Sequence, residues 1–396
     1  MIIRTHAVPG RWLVHAYYTV SPFAPDGSGR ILTGGADLQH NVGEVLILSA
    51  DGEVLDRFGD GPSEASFFHT GRWQTWSPSA EFAYYTQGML SRPQVVRREV
   101  ATGSELVVDG DLEGAPPADA PLLSGLLGML HAAGAGDGSY DADRSPVPFA
   151  DRSAHGLFRY RFSPPSATLV RSVAEVLADH PAVDRLLAAD RETLARLGTP
   201  LSLMIYCVRW SPNGRRLLFY FGNHLAAHSR GEPKIGYVMT ASADLTDVRL
   251  AVDLSFGVPG VHWSWQPDNE RLIGYGPDPE APEQLCLAEV IFDGSGYRKL
   301  SDHASGGHPS ASPTDPDLLV SDAVTSTGGE VIFLSRRTGT VIATEPLPKF
   351  RGAKPPRGRT PLSTDHHPVF HPSGDRVLAN ALPDDHAVLV EIAVPR

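Results

Sequence analysis

Three things are scarce in this chain of 396 residues, and each scarcity excludes a class of protein. The two cysteines, Cys207 and Cys286, both lie in apolar strand-like runs, which indicates buried thiols and no disulfide framework. No apolar run reaches the roughly 18 residues that a membrane span needs. Lys and Arg number 34 against 46 Asp and Glu, and the resulting net charge of −12 argues against a nucleic-acid partner.

Several sequence motifs are absent as well. The chain has no phosphate-binding loop, dinucleotide fingerprint, cysteine-based zinc motif or Gly-x-Ser-x-Gly elbow. The first residues lack the long apolar run of a signal peptide, so we expect a cytoplasmic protein. Hydrophobic residues make up 41% and charged residues 20%, as in ordinary globular proteins, and we expect a single domain over 1–396. The sequence gives no indication of the oligomeric state.

What the sequence does contain is a repeated phrase: an apolar run, then Ser-Pro or an equivalent, then a polar turn, then a second apolar run. The six copies begin at Ser21, Trp76, Trp210, Trp265, Ser312 and Phe370. A strand–turn–strand unit that recurs about every 40–60 residues is typical of a β-propeller. We therefore predict an all-β fold, a seven-bladed β-propeller, whose inner strands bring distant parts of the chain to one axis. The one long gap between copies predicts a degenerate blade with an insertion.

The region around that gap differs from the rest of the chain. Residues 114–148 are rich in Gly, Ala, Pro and Asp and predict a long surface loop, with one short apolar strand near 126–130. Residues 172–197 switch to helical spacing, interrupted at Pro181, and predict a helical insertion on the side or rim of the propeller. The last blade, which begins near Pro368, is short of strands, so we expect N-terminal residues to complete it.

Residues just before each turn phrase are predicted to line one mouth of the central channel. These candidates are Trp73, Tyr206, Arg209, His262, Trp265, His308, Asp365, His366 and His367. Imidazoles that converge near an axis suit a first-row divalent metal, with Asp as an oxygen ligand, or a general base. The structural alternative is that the histidines only hydrogen-bond between blades. Most of the tryptophans are expected in the core between blades, and one or two could stack on sugar rings.

The connection after 217–221 carries His224 and Arg230. A solvated loop histidine is the simpler interpretation of His224, and contact with a substrate is the other. We include it with Trp73, Tyr206 and Trp265 as a candidate substrate-binding residue.

A His-Pro pair precedes the inner strand at two places, His308-Pro309 and His367-Pro368. In this pattern the chain resembles the seven-bladed polysaccharide lyases, above all the oligogalacturonate lyase family and more loosely the ulvan lyases. In the oligogalacturonate lyases, a His-Pro-His-Pro stretch in a late blade supplies metal ligands. A further His lies one blade earlier, and a catalytic His earlier still. The resemblance implies metal ligands among His308, Asp365, His366 and His367, and a catalytic base at His262. Asp365 stands where the family has its first His. Similar turns also occur in Tol-system propellers, which have no catalysis.

The family chemistry is β-elimination of a uronic acid. The proton on C5 beside the carboxylate must be removed, which requires a base and a cation that neutralises the carboxylate. The resemblance therefore implies a lyase acting on an acidic oligosaccharide, with Arg209 or Arg230 as a bidentate carboxylate clamp. Nitrogen-rich ligation with one oxygen donor suits manganese, zinc, nickel or iron better than calcium or magnesium. Among these we expect manganese, with zinc, nickel or iron as alternatives.

Two other functions remain open at this point. A glycoside hydrolase on the same propeller needs two placed carboxylates, and Asp37, Asp322 and Asp365 are possible although no pair is evident. A non-catalytic binding or scaffold propeller needs no histidine cluster at all. Bound metal together with loss of activity in a His262 variant would favour the lyase, and absence of both would favour the scaffold.

Overall fold

Seven antiparallel β-sheets form the architecture of the part of the chain that the computed structural model describes. Six of them have four strands and one has three, which confirms the predicted seven-bladed propeller with an irregular third blade. The described residues are 1–63, 67–89, 92–117, 120–125, 149–223, 227–255, 260–303, 305–325, 328–350 and 360–395.

The first three blades follow one another along the chain. Blade one holds β2 (Trp12–Val14), β3 (Ile31–Asp37), β4 (Val42–Leu48) and β5 (Val54–Pro62). Blade two holds β6 (Thr75–Trp76), β7 (Phe82–Met89), β8 (Arg92–Glu99) and β9 (Glu105–Asp109). Blade three holds β10 (Leu123–Ser124), β11 (Gly156–Phe162) and β12 (Pro165–Ser172). The strand predicted near 126–130 and most of the predicted 114–148 loop lie outside the described residues.

The remaining blades complete the circle. Blade four holds β13 (Met204–Trp210), β14 (Arg216–Gly222), β15 (Gly236–Ser242) and β16 (Val248–Asp253). Blade five holds β17 (Val261–Trp265), β18 (Arg271–Pro277), β19 (Leu285–Ile291) and β20 (Arg298–Ser301). Blade six holds β21 (Ser310–Ala311), β22 (Leu318–Thr325), β23 (Gly328–Ser335) and β24 (Val341–Leu347). Blade seven holds β25 (Val369–Phe370), β26 (Arg376–Ala381), β27 (Val388–Ala393) and β1 (Ile2–His6).

The hydrophobic core lies between neighbouring blades. In β4, Val45 packs against Trp76 of blade two, whereas the next residue, Leu46, packs against Leu378 of blade seven. This alternation follows from the period of two in a strand, since successive side chains point to opposite faces of the sheet. Each blade therefore buries both faces, and its inner strand is fixed at the axis by packing on both sides.

Helices are few among the described residues. The predicted helical segment contains α2 (Val173–Ala178) and α3 (Val183–Leu197), and the break expected at Pro181 falls between them. A capping box between Ser172 and Glu175 begins α2. The other two helices are single turns, α1 (Phe67–Thr70) and α4 (Ala227–Arg230). Within the described residues, no helix has both the length and the apolar character needed to cross a membrane.

The N-terminal strand closes the ring. β1 pairs antiparallel with β27, so blade seven is built from both ends of the chain, as the sequence predicts. His6, at the end of β1, is buried, and its Nε2 lies 2.9 Å from the buried carboxylate of Glu391. β1 is the outermost strand of blade seven, and its pairing covers the edge of β27 that could otherwise pair with a second chain.

We expect His6→Ala to lower the free energy of unfolding by about 1–3 kcal/mol, because it removes a buried partner of Glu391. Ile3→Ala is the matched control on the same strand, since Ile3 is 55% exposed. That control should change stability by less than about 0.5 kcal/mol. Chemical denaturation of both variants measures the difference, and equal effects would contradict a closing role for the His6–Glu391 contact.

Candidate active site at one mouth of the channel

Six residues occupy the same repeat position, five residues before the proline of each turn phrase. They are Tyr17, Trp73, Cys207, His262, His308 and His367, and we call them the histidine layer. Equivalent positions meet at equal height because the inner strands surround one axis in the same direction. The ring centroids of His262 and His308 are 4.1 Å apart, and those of His308 and His367 are 4.3 Å apart. The Tyr17 ring lies 4.7 Å from that of His367.

The backbone of this layer has an unusual conformation. Trp73, Cys207, His262 and His367 all have positive φ, between 45° and 61°. The strand register is irregular around two of them, in β13 and β17. Non-glycine residues in this region cost on the order of 1–3 kcal/mol each and cluster at functional sites. The same strained backbone conformation recurs in four blades. We infer that the fold keeps these side chains directed at the axis despite the cost of the strain.

His262 has the geometry of a general base. Its Nδ1 lies 2.7 Å from the carbonyl oxygen of Gly307. A carbonyl can only accept, so Nδ1 carries the proton and Nε2 is the basic nitrogen. Burial, and then the neighbouring His308 and Arg209, hold the pKa of His262 well below its ordinary value. The imidazole is therefore neutral at neutral pH and can take up a proton.

Three side chains beside this base can hold a metal ion. One ligand atom each from His69, Asp365 and His367 lie within 4.8 Å of one another. His69 Nδ1 is 2.9 Å from one carboxylate oxygen of Asp365, and Lys349 bonds to the other. Burial opposes ionisation of Asp365, but Lys349 and His69 hold its pKa well below the ordinary value.

His367 provides the test of whether these residues fit a metal. Its side chain is fully buried, and among the described residues neither ring nitrogen has a hydrogen-bond partner. Buried polar atoms without partners are rare and costly, and neutral imidazole with a carboxylate is a donor set that first-row divalent metals favour. Burial, and then His308, keep the pKa of His367 well below its usual value, which leaves the ring neutral. The residues present therefore fit a divalent metal.

His308 lies between the base and this donor set. Its Nδ1 is 2.9 Å from the carboxylate of Asp322, and the same carboxylate accepts the His308 backbone N–H at 2.7 Å. Burial alone would raise the pKa of Asp322, but His308 lowers it below the ordinary range. A carboxylate that fixes one ring nitrogen of a histidine is the usual outer partner of a metal-binding imidazole. The other nitrogen, Nε2, is the one that can act as a ligand.

The structure does not bring His366 into this group. The His366 Nδ1 donates to the carbonyl of Asn380 at 2.8 Å, and its Nε2 faces Gly329, where an added Cβ would lie only 2.2 Å away. His69, which the sequence analysis does not select, takes the corresponding place beside Asp365. Tyr17 was also missed, although its position five residues before Pro22 repeats that of the three histidines.

The two predicted clamps lie apart from each other. Arg209 is buried, and its Nη1 donates to the Tyr18 hydroxyl at 3.0 Å and to the carbonyl of Trp263. Arg230 donates from Nε to Glu232 at 2.7 Å, and its guanidinium lies 5.1 Å from the centre of the Phe149 ring.

The candidate substrate-binding residues are also separated. Trp73 belongs to the histidine layer, with its ring 5.4 Å from that of Tyr17. Tyr206 is buried and stacks on Tyr220, with 5.5 Å between ring centres. Trp265 lies toward the opposite mouth, and its Nε1 donates to the carbonyl of Arg209 at 3.0 Å. His224 lies outside the described residues.

The opposite mouth contains a cavity of about 560 Å³, which we call the turn-side cavity because turn-phrase residues such as Pro78, Pro212 and Pro372 line it. The three histidines of the histidine layer do not line it. Tyr18 and Arg209 do line it, and the Tyr18 ring is also 5.9 Å from that of His262. These two side chains therefore lie between the histidine layer and the cavity.

Glu113 at the edge of this cavity gives a testable pH effect. Its two carboxylate oxygens accept the backbone N–H groups of Cys207 at 2.7 Å and Val208 at 2.6 Å. Burial raises the pKa of Glu113 to about 8, although these two amides favour the ionised form. The folded chain therefore binds the Glu113 proton more tightly than the unfolded chain does. The resulting stabilisation of the fold is fully present below the pKa that Glu113 has in the unfolded chain, and it is lost as the pH rises toward about 8.

We expect the free energy of unfolding of the wild type to fall by up to about 1.4 kcal/mol per pH unit in that window, relative to Glu113→Gln. The glutamine variant retains a hydrogen-bond acceptor but cannot ionise, so it lacks this component. Denaturation of both proteins between about pH 5 and 9 measures the difference. Parallel stability curves over the whole range would contradict the raised pKa.

The fold and the histidine layer together define a seven-bladed β-propeller with a candidate metal-dependent site on its axis. The sequence matches no protein-family model and none of the curated proteins. The structure is similar to an oligogalacturonate lyase in complex with manganese, with a TM-score of 0.64 and 16% identity over 98% of this chain and 92% of that one.

Two further solved structures are also similar to this chain. An oligogalacturonate lyase from Vibrio parahaemolyticus has a TM-score of 0.62 and 13% identity over 98% of this chain and 93% of its own. The hydrazine synthase of Kuenenia stuttgartiensis has a TM-score of 0.52 and 11% identity over 99% and 98% of the two chains. At such identities the comparisons establish the propeller fold, and the activity has to be argued from the site.

Proposed function

We propose that this protein is a metal-dependent lyase that cleaves a uronic-acid-containing oligosaccharide by β-elimination. The observation that carries the proposal is the neutral His262 imidazole beside the His69–Asp365–His367 donor set on the channel axis, in which His367 is fully buried. The likeness of the whole chain to oligogalacturonate lyases supports it as an analogy of fold.

The role of His262 is to remove the proton from C5 of the uronic acid. Its Nε2 is the basic nitrogen, and the bond from Nδ1 to Gly307 holds the ring in one orientation. As the proton moves to His262, the electron pair of the C5–H bond forms the C4=C5 double bond and the C4–O bond breaks. The leaving sugar oxygen takes up a proton from water, so that both products together have the composition of the substrate. A positioned base of this kind contributes a rate factor of roughly 10²–10⁴.

The charge of the substrate carboxylate has to be neutralised for that proton to leave. His69, Asp365 and His367 would hold a divalent metal, with His308 adjacent and oriented by Asp322. When bound, the metal supplies a positive charge next to the carboxylate. We assign this task to the metal site rather than to the predicted arginines, because Arg230 is paired with Glu232 and Arg209 lines the turn-side cavity. By analogy with the oligogalacturonate lyase in complex with manganese described above, we propose manganese.

The glycosidase alternative is less well supported. It needs a carboxylic acid whose raised pKa keeps it protonated near neutrality. The pKa of Asp37 is lowered to about 2, with its bond to His40 as the main cause. The pKa values of Asp322 and Asp365 are also lowered, by His308 and by Lys349 with His69 respectively, against the effect of burial. All three proposed carboxyl groups are therefore ionised, and none can act as the proton donor.

Product masses distinguish the two reactions. β-Elimination conserves the mass of the substrate across its two products, whereas hydrolysis adds one water. We expect mass spectrometry of a digest of oligogalacturonates or another uronic-acid oligomer to give unsaturated fragments whose masses sum to that of the substrate. Incorporation of labelled oxygen from water into a product would overturn the lyase proposal in favour of hydrolysis. No cleavage across a panel of uronates, with metal present, would leave a binding propeller as the better account.

A further inference from the structure

A second layer of equivalent residues lies below the histidine layer. It consists of the residues three positions before each turn proline, which are Thr19, Thr75, Arg209, Ser264, Ser310 and Val369. All of them line the turn-side cavity, and we call them the hydroxyl layer. Its members lie two residues further along the inner strands than those of the histidine layer, which corresponds to about 6–7 Å along a strand. The two layers therefore lie at different heights along the channel, and the lining of the turn-side cavity by all six residues places the hydroxyl layer at its mouth.

The composition of the hydroxyl layer indicates what it can bind. Four members carry a hydroxyl group, which both donates and accepts hydrogen bonds. The fifth, Arg209, carries a guanidinium, which binds a carboxylate with two parallel hydrogen bonds. A ring of hydroxyls with one guanidinium matches a molecule that has several hydroxyl groups and one carboxylate.

Charge in the cavity favours a single anion. Arg209 and Glu113 are its charged lining residues. Both oxygens of Glu113 already accept amide N–H groups, and its raised pKa reduces its negative charge near neutrality. Arg209 is held in place by the Tyr18 hydroxyl and the carbonyl of Trp263. The cavity therefore presents one fixed cation and little competing negative charge.

The walls of the cavity are flat and apolar. Trp210 and Trp265 line it and are only partly buried, and several prolines complete the wall. An indole face packs well against the C–H face of a sugar ring, since it offers a large apolar area at low entropic cost. The volume of about 560 Å³ lies within the range of small-molecule sites.

From these observations we propose that the turn-side cavity is a second binding site, for a small sugar acid whose carboxylate pairs with Arg209 and whose ring lies against Trp265. The site is distinct from the histidine layer because Tyr18 and Arg209 separate the two. It does not depend on the lyase activity, since a catalytically inactive propeller would retain the same layer of residues.

Fluorine NMR of protein labelled with 5-fluorotryptophan can locate binding directly. Trp73 reports on the histidine layer, and Trp210 and Trp265 report on the turn-side cavity; Trp→Phe variants assign the signals. Titration with D-galacturonate should shift the Trp265 and Trp210 signals to saturation. D-Galactose, which lacks the carboxylate, and benzoate, which lacks the hydroxyls, should shift them at least about tenfold less effectively. Galacturonate shifts confined to Trp73, or equal responses to all three compounds, would overturn the proposal.

Variants identify which residues bind. Thr19→Val and Ser310→Ala remove one hydroxyl each with little change of shape and should weaken the Trp265 response about two- to tenfold. Arg209→Lys keeps the charge but loses the paired hydrogen bonds and should weaken it by about tenfold or more. His262→Asn, on the other side of Tyr18, is the control and should leave the response unchanged. If the hydroxyl variants bind as the wild type does, or if the His262 variant loses the response, the second site is rejected.

Discussion

Replacing His262 by asparagine should reduce turnover of an acidic oligosaccharide by about 10²–10⁴-fold while the protein stays folded. Asparagine lacks the basic ring nitrogen, but it can still hydrogen-bond to the carbonyl of Gly307. It also tolerates the φ of 61° at this position better than most residues do. The rate is measured at saturating substrate, and thermal denaturation checks that the propeller is intact.

His40→Asn is the matched control, because this histidine lies on a surface turn beside Asp37 and outside the channel. It should leave the rate within about twofold of the wild type, in keeping with the small effects of surface substitutions. Should His262→Asn retain wild-type turnover, another group must accept the proton, and our assignment of the base is wrong.

The second large effect concerns two neighbouring histidines. His367→Ala should lose most of the divalent metal, because it removes a ligand from the His69–Asp365–His367 set. We expect about one ion per chain in the wild type and well under one in this variant, together with loss of turnover. Elemental analysis of protein purified without chelators gives the metal content and the identity of the metal.

His366→Asn is the matched control for that experiment. The His366 ring points to the carbonyl of Asn380 and to Gly329, away from the proposed ligands, so the metal should be retained. His69→Ala provides an independent test, because it removes a ligand that comes from helix α1 and not from the entry to blade seven. Loss of metal in His366→Asn and His367→Ala but not in His69→Ala would support the ligand set implied by the resemblance and contradict the set that the structure brings together.

The repeat made the overall fold predictable. Each turn phrase fixes the end of an inner strand, so the blade order, the irregular third blade and the closure by β1 all followed from spacing. The same repeat could have identified Tyr17, since it precedes Pro22 by the number of residues that separates His262 from Pro267. His69 carries no such signal, because it lies in the single-turn helix α1 and reaches the axis through packing.

Side-chain direction within the inner strands was the part that the sequence could not provide. In a regular strand, neighbours face opposite sides, and a one-residue bulge reverses the assignment for everything that follows. The register irregularities next to His262 and Arg209 are of this kind. Trp265, three residues further along β17 than His262, lines the turn-side cavity, whereas His262 does not. The rings of the adjacent residues His366 and His367 point in different directions, and the backbone of His367 has a φ of 45°.

The most direct test of the account is continuous ultraviolet absorbance of the wild-type protein with oligogalacturonates, before and after removal of metal by a chelator. Elimination creates a double bond conjugated with the carboxylate, which absorbs where the substrate does not. We predict a steady rise in absorbance that stops on chelation and returns when manganese is added. No rise with any uronic-acid oligomer, in protein shown to be folded and to contain metal, would contradict the proposal that this propeller is a lyase.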